Sequence, residues 1–282
     1  MIPKFAMYIL TTIRWSLRWN QNSNSEMGGA MAGTNLTVTK ALDVLDLLGQ
    51  ARDPMRLKDI AMRLDLPEST THRLLASLAD RGYVQREPDH GTYLLGWKIV
   101  IHARSLDSDA RLLQNMQPFL IRLTRQLGQT TNLAVLSNDE VMYLDCQTPA
   151  DSVAVYVAPG LTLPLHATSL GKSIMAHLPE HQLESLLQRI ELTPLTESTI
   201  TDPVTLRASL QRVREQGYAI DHGELKPDVS CIAAPLLDDS GRARAAISMT
   251  APSAQLPADW EVTFPAILTG VAKEASRKLF DL

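Results

Sequence analysis

The most constraining stretch of this chain is LKDIAMRLDLPESTTHRLLASL, residues 57–78. Leu57, Ile60, Ala61 and Leu64 recur at i, i+3, i+4 and i+7, which lays one apolar stripe along a short helix. Asp65-Leu66-Pro67 breaks the pattern, and Thr71, Leu74, Leu75 and Leu78 supply a second stripe. Pro67 suits the first helical position, and Glu68 suits the partial positive charge of a helix N-terminus. Two short helices with so tight a break are the helix-turn-helix pattern. Before them, Val38, Ala41, Leu42, Leu45 and Leu48 mark an amphipathic helix ending near Gly49. After them, YVQREPDHGTYLLG holds two β-prone runs around Glu87-Pro88-Asp89-His90-Gly91, a hairpin with turn residues at its tip. Three helices and a hairpin describe a winged helix.

In a winged helix the third helix enters the DNA major groove. Opposite its leucine stripe lie Ser69, Thr70, His72, Arg73, Ala76 and Ser77. Arg73 suits guanine or a phosphate, and the hydroxyls and His72 suit bases or backbone oxygens. In the hairpin, Arg86 and His90 are placed for neighbouring phosphates. The plainer alternative is a solvated helix face. Residues 35–95 carry eight lysines and arginines against nine acids, and the whole chain has net charge −4. DNA binding must therefore depend on where the cations sit. One such module would bind weakly, which argues for a dimer on paired half-sites.

At 282 residues the chain has room for two domains. Its 45% hydrophobic and 21% charged residues are ordinary for a soluble globular protein. Cys146 and Cys231 stand far apart, neither a disulfide framework nor a paired-cysteine zinc site, and suit a reducing cytoplasm. Residues 1–26 differ from the rest. The apolar run from Phe5 to Ile13 is too short to span a bilayer, and Arg14, Trp15, Arg18 and Trp19 follow it. A secretory signal has its charges first. The segment reads as translation from an upstream start, with Met27 or Met31 opening the functional chain, rather than as a membrane anchor.

From about Leu36 to the C-terminus the sequence resembles the IclR family of bacterial transcriptional regulators. LKDIAMRLDLPESTTHRLLASLADRGYV is similar to that family's helix-turn-helix. LPLHATSLGKS, REQGYAIDHGE and VSCIAAPLLDDSGRARAAISMTAPS follow in the family's order and spacing. The resemblance implies an α+β chain: a tail over 1–34, a winged helix-turn-helix over 35–96, a linker helix over 97–110, and a GAF-like effector-binding domain over 111–282. It also implies a double-stranded DNA operator, a small-molecule effector, and a homodimer or tetramer, with no cofactor, metal or membrane.

The residues agree with that outline. Trp97 to Leu106 is helix-compatible. Leu112, Leu113, Met116, Leu120, Leu123 and Leu127 recur on a helical face that Gly128 ends. TNLAVLSNDEVMYLDCQ reads as strand, Asn138-Asp139 turn, strand. Helices follow near 168–178, 180–189 and 203–216; then two strands flank Asp238-Asp239-Ser240-Gly241, and a helix closes the chain. Hairpins outnumber strand–helix–strand units, so a mainly antiparallel sheet with helices on its faces is expected.

HATSLGKS, residues 166–173, imitates a phosphate-binding loop, because Gly-Lys-Ser opens a helix after a strand-like run. The full motif needs a glycine five residues before Gly171, and His166 stands there. No strand ending in a magnesium-holding Asp is evident nearby. The resemblance instead implies that this junction lines an effector pocket, where a helix N-terminus suits a carboxylate. It carries Ser169 and Leu170 over as pocket residues, Leu163 as an apolar wall, and Asp221, Cys231, Ser248 and Thr250 as further lining. Leu170 is larger than the family's usual residue and bears on pocket size. Ser248 and Thr250 alternate on one strand and so face one side. Each residue also has a plain reading: half-exposed strand hydroxyls, a small buried thiol, a turn-capping Asp. The alternative function is a small-molecule hydrolase or cysteine enzyme, with His166 or His222 as base for Cys231. His177 and His181 have metal-ligand spacing, but Pro179 divides them.

Overall fold

A computed structural model describes residues 35–280, apart from 52, 104–106 and 151–156. The expectation for the 1–34 tail and residues 104–106 of the expected linker helix lie outside the described residues, and residues 107–110, expected to end the linker, open the next helix. The chain divides into two compact units, with the boundary between Arg111 and Leu112.

The N-terminal unit opens with α1 (Leu36–Gln50), capped by the Asn35 side chain, whose Oδ1 accepts from the Thr37 and Val38 N–H groups at 3.1 and 3.4 Å. Strand β1 (Met55–Arg56) leads into α2 (Leu57–Arg63) and α3 (Glu68–Asp80). Pro67 stands at the N-cap rather than inside the helix, its carbonyl accepting from Thr71 N–H at 3.0 Å. The hairpin is β2 (Val84–Arg86) and β3 (Thr92–Leu95), and β1 adds a third antiparallel strand on the far side of β3. Val44, Leu48, Ile60, Leu74, Leu75, Val84 and Tyr93 form the core. The α1 stripe differs from the expected one in its aim. Ala41, Val44, Leu45 and Leu48 turn inward, whereas Val38 and Leu42 stay 53% and 55% exposed.

Helix α4 (Lys98–Ala103) is joined to this unit through backbone. Gly96 N–H donates to Tyr83 O at 2.8 Å and Lys98 N–H to Gly82 O at 3.2 Å. Gly96 permits the approach, since a Cβ there would lie 2.2 Å from Gly82 O. The Tyr83 hydroxyl lies 3.0 Å from His102 Nε2, and the two rings stack.

Helix α5 (Asp107–Leu127) begins before the boundary and runs into the C-terminal unit, which continues with β4 (Thr130–Ser137), β5 (Glu140–Gln147), β6 (Thr162–Pro164), α6 (Ser169–Met175), α7 (Glu180–Arg189) and α8 (Pro203–Gln216). Strands β7 (Ala219–His222), β8 (Val229–Leu237) and β9 (Ala243–Pro252) follow, then α9 (Trp260–Phe280). The sheet runs β6-β5-β4-β9-β8-β7 and every pairing is antiparallel, as the hairpins led one to expect. Asn138 and Asp139, at φ 49° and 64°, make the tight turn that joins β4 to β5.

Period-two alternation sorts the sheet into two faces. Leu133, Ile232, Ala234, Ile247 and Met249 pack with α5 and α9 through Met116, Leu120, Leu268 and Val271. Arg122 on α5 also grips Glu274 on α9 with two hydrogen bonds, at 2.6 and 3.1 Å. The other face packs Ala134, Val141, Ala233 and Ala246 against Leu170, Ile174 and Met175 of α6, with α7 and α8 outside.

Gly171 sets how closely α6 lies on its own approach strand, since a Cβ there would stand 2.2 Å from Leu165 O and 2.5 Å from Leu165 Cα. Backbone cannot swing aside as a side chain would. Gly171→Ala should lower the stability of the C-terminal unit by about 1–3 kcal/mol, as overpacking does. Urea unfolding of the full chain measures it, and an unshifted midpoint would mean the 165–171 backbone yields freely.

Candidate functional site

Helix α3 turns Thr71, Leu74 and Leu75 into the core, so the opposite face is free. Ser69, His72, Arg73, Ala76 and Ser77 are exposed on it and Thr70 is half-buried. Ser77 Oγ donates to Arg73 O at 3.0 Å, a local bond that leaves the guanidinium unengaged. Arg86 on β2 and His90 at the hairpin tip are exposed too. Among the described residues no carboxylate lies within ion-pair reach of Arg73 or Arg86. The seven nominated residues thus stand on the α3 face and the wing of one unit, with both arginines open to a phosphate or a base.

In the C-terminal unit, α6 packs across β8 and β9. Cross-strand register lines up polar side chains beneath it: Asp221 on β7 opposite Cys231 on β8, and Cys231 opposite Thr250 on β9. Ser248 on β9 lies opposite Asn132 on β4. Asn132 Nδ2 donates to Ser248 Oγ and to Thr250 Oγ1, each at 3.1 Å. Ser248 and Asn132 are fully buried, and Asp221 and Thr250 nearly so. Four of the nominated residues therefore share one polar patch, Asp221, Ser248 and Thr250 buried and Cys231 half-buried. Ser169 and Leu170 occupy the buried first turn of α6. Leu163 stands apart: it lies on the edge strand β6, paired with Val141, in apolar packing with Leu165, Leu170 and Ile174.

The sequence reading passed over Asn132. Its signal was available, because alternation in TTNLAV puts Asn132 opposite the core residue Leu133. Two charges were also missed as partners. Lys172 Nζ donates to Ile220 O at 2.7 Å and to the Glu224 carboxylate, both side chains being buried. Glu224 N–H in turn donates to Asp221 Oδ1 at 2.7 Å. The lysine of the phosphate-loop look-alike thus holds a loop inside its own domain. The α6 N-terminus offers less than expected as well, since Thr168 Oγ1 accepts the Gly171 N–H at 3.1 Å.

The enzyme alternative fares poorly on this geometry. Burial, and then the neighbouring Asp221, push the Cys231 thiol up, the wrong direction for a thiolate nucleophile. His166 Nε2 is engaged by Thr193 O at 3.1 Å, and burial pushes its imidazole down. His222 faces Glu261 at 3.7 Å. His177 Nδ1 bonds Ser173 O at 3.1 Å. Among the described residues no three His, Cys, Asp or Glu side chains are grouped to hold a metal, and no helix is long and apolar enough to cross a membrane.

Comparison with known proteins gives two family matches. Residues 37–88 match the IclR helix-turn-helix domain, and residues 105–277 match the bacterial transcriptional regulator IclR C-terminal domain. The chain is 33% identical over 230 residues to the HTH-type transcriptional regulator BhcR of Paracoccus denitrificans, covering 82% of each. It is 32% identical over 243 residues to the transcriptional repressor IclR of Escherichia coli, covering 85% of this chain and 88% of that one. Among solved structures, the Thermotoga maritima IclR aligns with TM-score 0.70 at 27% identity, over 86% of this chain and 98% of that chain. An IclR homolog from Microbacterium hydrocarbonoxydans complexed with 4-hydroxybenzoate aligns with TM-score 0.68 at 27% identity, over 86% of this chain and 99% of that one.

Burial pushes the Asp221 carboxyl up to about 7, the Glu224 carboxylate adding to the rise while the Glu224 N–H and Lys172 oppose it. The folded protein therefore keeps a proton on Asp221 that the unfolded chain releases near 3.8. That stabilisation is complete below the unfolded value and is lost as pH rises towards the folded one. Asp221 should contribute a fall of at most about 1.4 kcal/mol per pH unit across this window. Asp221→Asn should remove it in urea titrations at stepped pH; an unaltered slope would assign the effect to other groups.

Proposed function

Because the chain belongs to the IclR family of bacterial transcriptional regulators, we propose that it is a cytoplasmic repressor switched by a small organic acid. Helix α3 and the β2–β3 wing bind a palindromic operator, two or four copies at a time, and the acid sits beneath α6. What carries the proposal is the buried polar patch of Asp221, Ser248, Thr250 and Asn132, with the half-buried Cys231 beside it. Polar groups are costly to bury without partners, and a ligand oxygen supplies them. Ser248 and Thr250 accept from Asn132, so each hydroxyl keeps its own proton to give to a carboxylate. Ser169 assists from α6, and Asp221 meets a hydroxyl on the effector. The 4-hydroxybenzoate bound by the Microbacterium relative is itself a carboxylic acid. Repression is supported by relatives named as repressors in Escherichia coli and Salmonella typhimurium.

Two substitutions separate the two roles. Arg73→Ala should weaken operator binding by about 1–3 kcal/mol and leave effector binding untouched. Ser248→Ala should weaken effector binding roughly tenfold or more while operator binding stays intact, one hydrogen bond to a charged group being lost. Fluorescence anisotropy with operator DNA and calorimetry with organic acids read the pair. Equal damage to both activities in either variant would sink the assignment.

Oligomerisation follows from weak single-module binding and from apolar side chains left in water. Helix α1 presents Val38 and Leu42, and α4 presents Val100 and Ile101 beside Trp97, which is 75% exposed. The double change Val38→Glu with Leu42→Glu should leave a folded monomer by light scattering, with operator affinity sharply reduced. A wild-type chain that stays monomeric at micromolar concentration with DNA present would refute the association.

A further inference from the structure

Asn132 is the member of the buried patch whose hydrogen-bonding capacity is only half used. Its Nδ2 gives one hydrogen to Ser248 Oγ and the other to Thr250 Oγ1. Among the described residues its Oδ1, equally buried, meets no donor. Buried carbonyl oxygens are nearly always met, so a bare one calls for a partner. The surroundings limit what that partner can be. The Ser248 and Thr250 hydroxyls each accept from Nδ2 at 3.1 Å, so two hydroxyls and one bare acceptor are tied to a single amide. Oδ1 and Nδ2 share one carbon. A ligand atom that donates to Oδ1 must therefore be close, within about three bonds, to the ligand atoms that accept from the hydroxyls.

Building on the carboxylate assignment above, we propose that Asn132 selects acids with a hydroxyl on the carbon next to the carboxylate, the 2-hydroxy acids. The carboxylate accepts from Ser248 and Thr250, and the 2-hydroxyl donates to Asn132 Oδ1. An unsubstituted acid leaves Oδ1 bare, and a 2-oxo acid sets its carbonyl oxygen against it, acceptor facing acceptor. A site that pairs a hydroxyl rejects the analogue lacking it, because its own buried polar group then goes unpaired. The reversed amide would accept from both hydroxyls and present its NH2 group instead, which would invert the preference towards the 2-oxo acid. Ligand preference therefore reports which way the amide stands.

The test is calorimetric titration of the full chain with matched sets of short acids, each set holding the unsubstituted, 2-hydroxy and 2-oxo forms. The 2-hydroxy acid should bind at least about tenfold tighter than the others of its set. Asn132→Leu should erase that difference while keeping operator binding. If no acid of any set binds, the carboxylate assignment falls and the role of Asn132 with it. If acids bind with no 2-hydroxy preference, or the preference survives in Asn132→Leu, the carboxylate assignment stands and the role of Asn132 is refuted. Should the leucine variant not fold, Asn132→Ser replaces it, and a 2-oxo preference in the wild-type chain is by itself enough to overturn the proposal.

Discussion

A strand buried on both faces must satisfy every polar group it carries from within the protein, and β9 is such a strand. Ala245, Ile247 and Met249 press against the layer of α5 and α9, while Ala246, Ser248 and Thr250 turn towards α6. Apolar side chains would have filled that second side at less cost. Ser248 and Thr250 are held there because Asn132 reaches across from β4 to both of them. The Ser248–Thr250–Asn132 part of the patch is therefore a property of two neighbouring strands in one register, on the side of the sheet where α6 packs.

Helix α6 lies where it does for two reasons that together account for the Gly-Lys of HATSLGKS. Gly171 lets the helix backbone touch Leu165. Lys172 then reaches under the domain to Ile220 O and the Glu224 carboxylate. A buried ion pair is weak evidence for stability, since desolvation offsets much of the attraction. Its evident effect is positional. The turn after β7 is also stapled from outside, where Thr196 Oγ1 donates to Gly223 O and Thr199 Oγ1 to Glu224 O, each at 2.7 Å. Asp221, which accepts from the Glu224 N–H, is thereby held in place beside Cys231.

Local pattern made most of the fold legible. Helical spacing located α2, α3 and α5, and turn residues located the β2–β3 wing and the β4–β5 hairpin, because these features are set by residues a few positions apart. Alternation likewise put Ser248 and Thr250 on one side of their strand. The sequence could not reveal which strand lies beside which, so neither the Asn132 bonds to Ser248 and Thr250 nor the three to five strands between Leu163 and Ser248, Cys231 and Asp221 were legible. The Lys172–Glu224 pair spans 52 positions and leaves no periodic trace. Helix α1 was misaimed for a different reason. An apolar stripe says that a face avoids water, but not whether its own core or another surface covers it.

The joint between α4 and the reading head has a mechanical consequence. Hydrogen bonds from Gly96 and Lys98 to the Gly82–Tyr83 turn, and the Tyr83–His102 stack, bind the helix to the turn that follows α3. Main-chain bonds at a glycine contact this close have little room to slide. The direction in which the chain leaves the winged helix is therefore set by the turn that ends α3, so the start of α4 takes its orientation from the recognition helix rather than from its own side-chain packing.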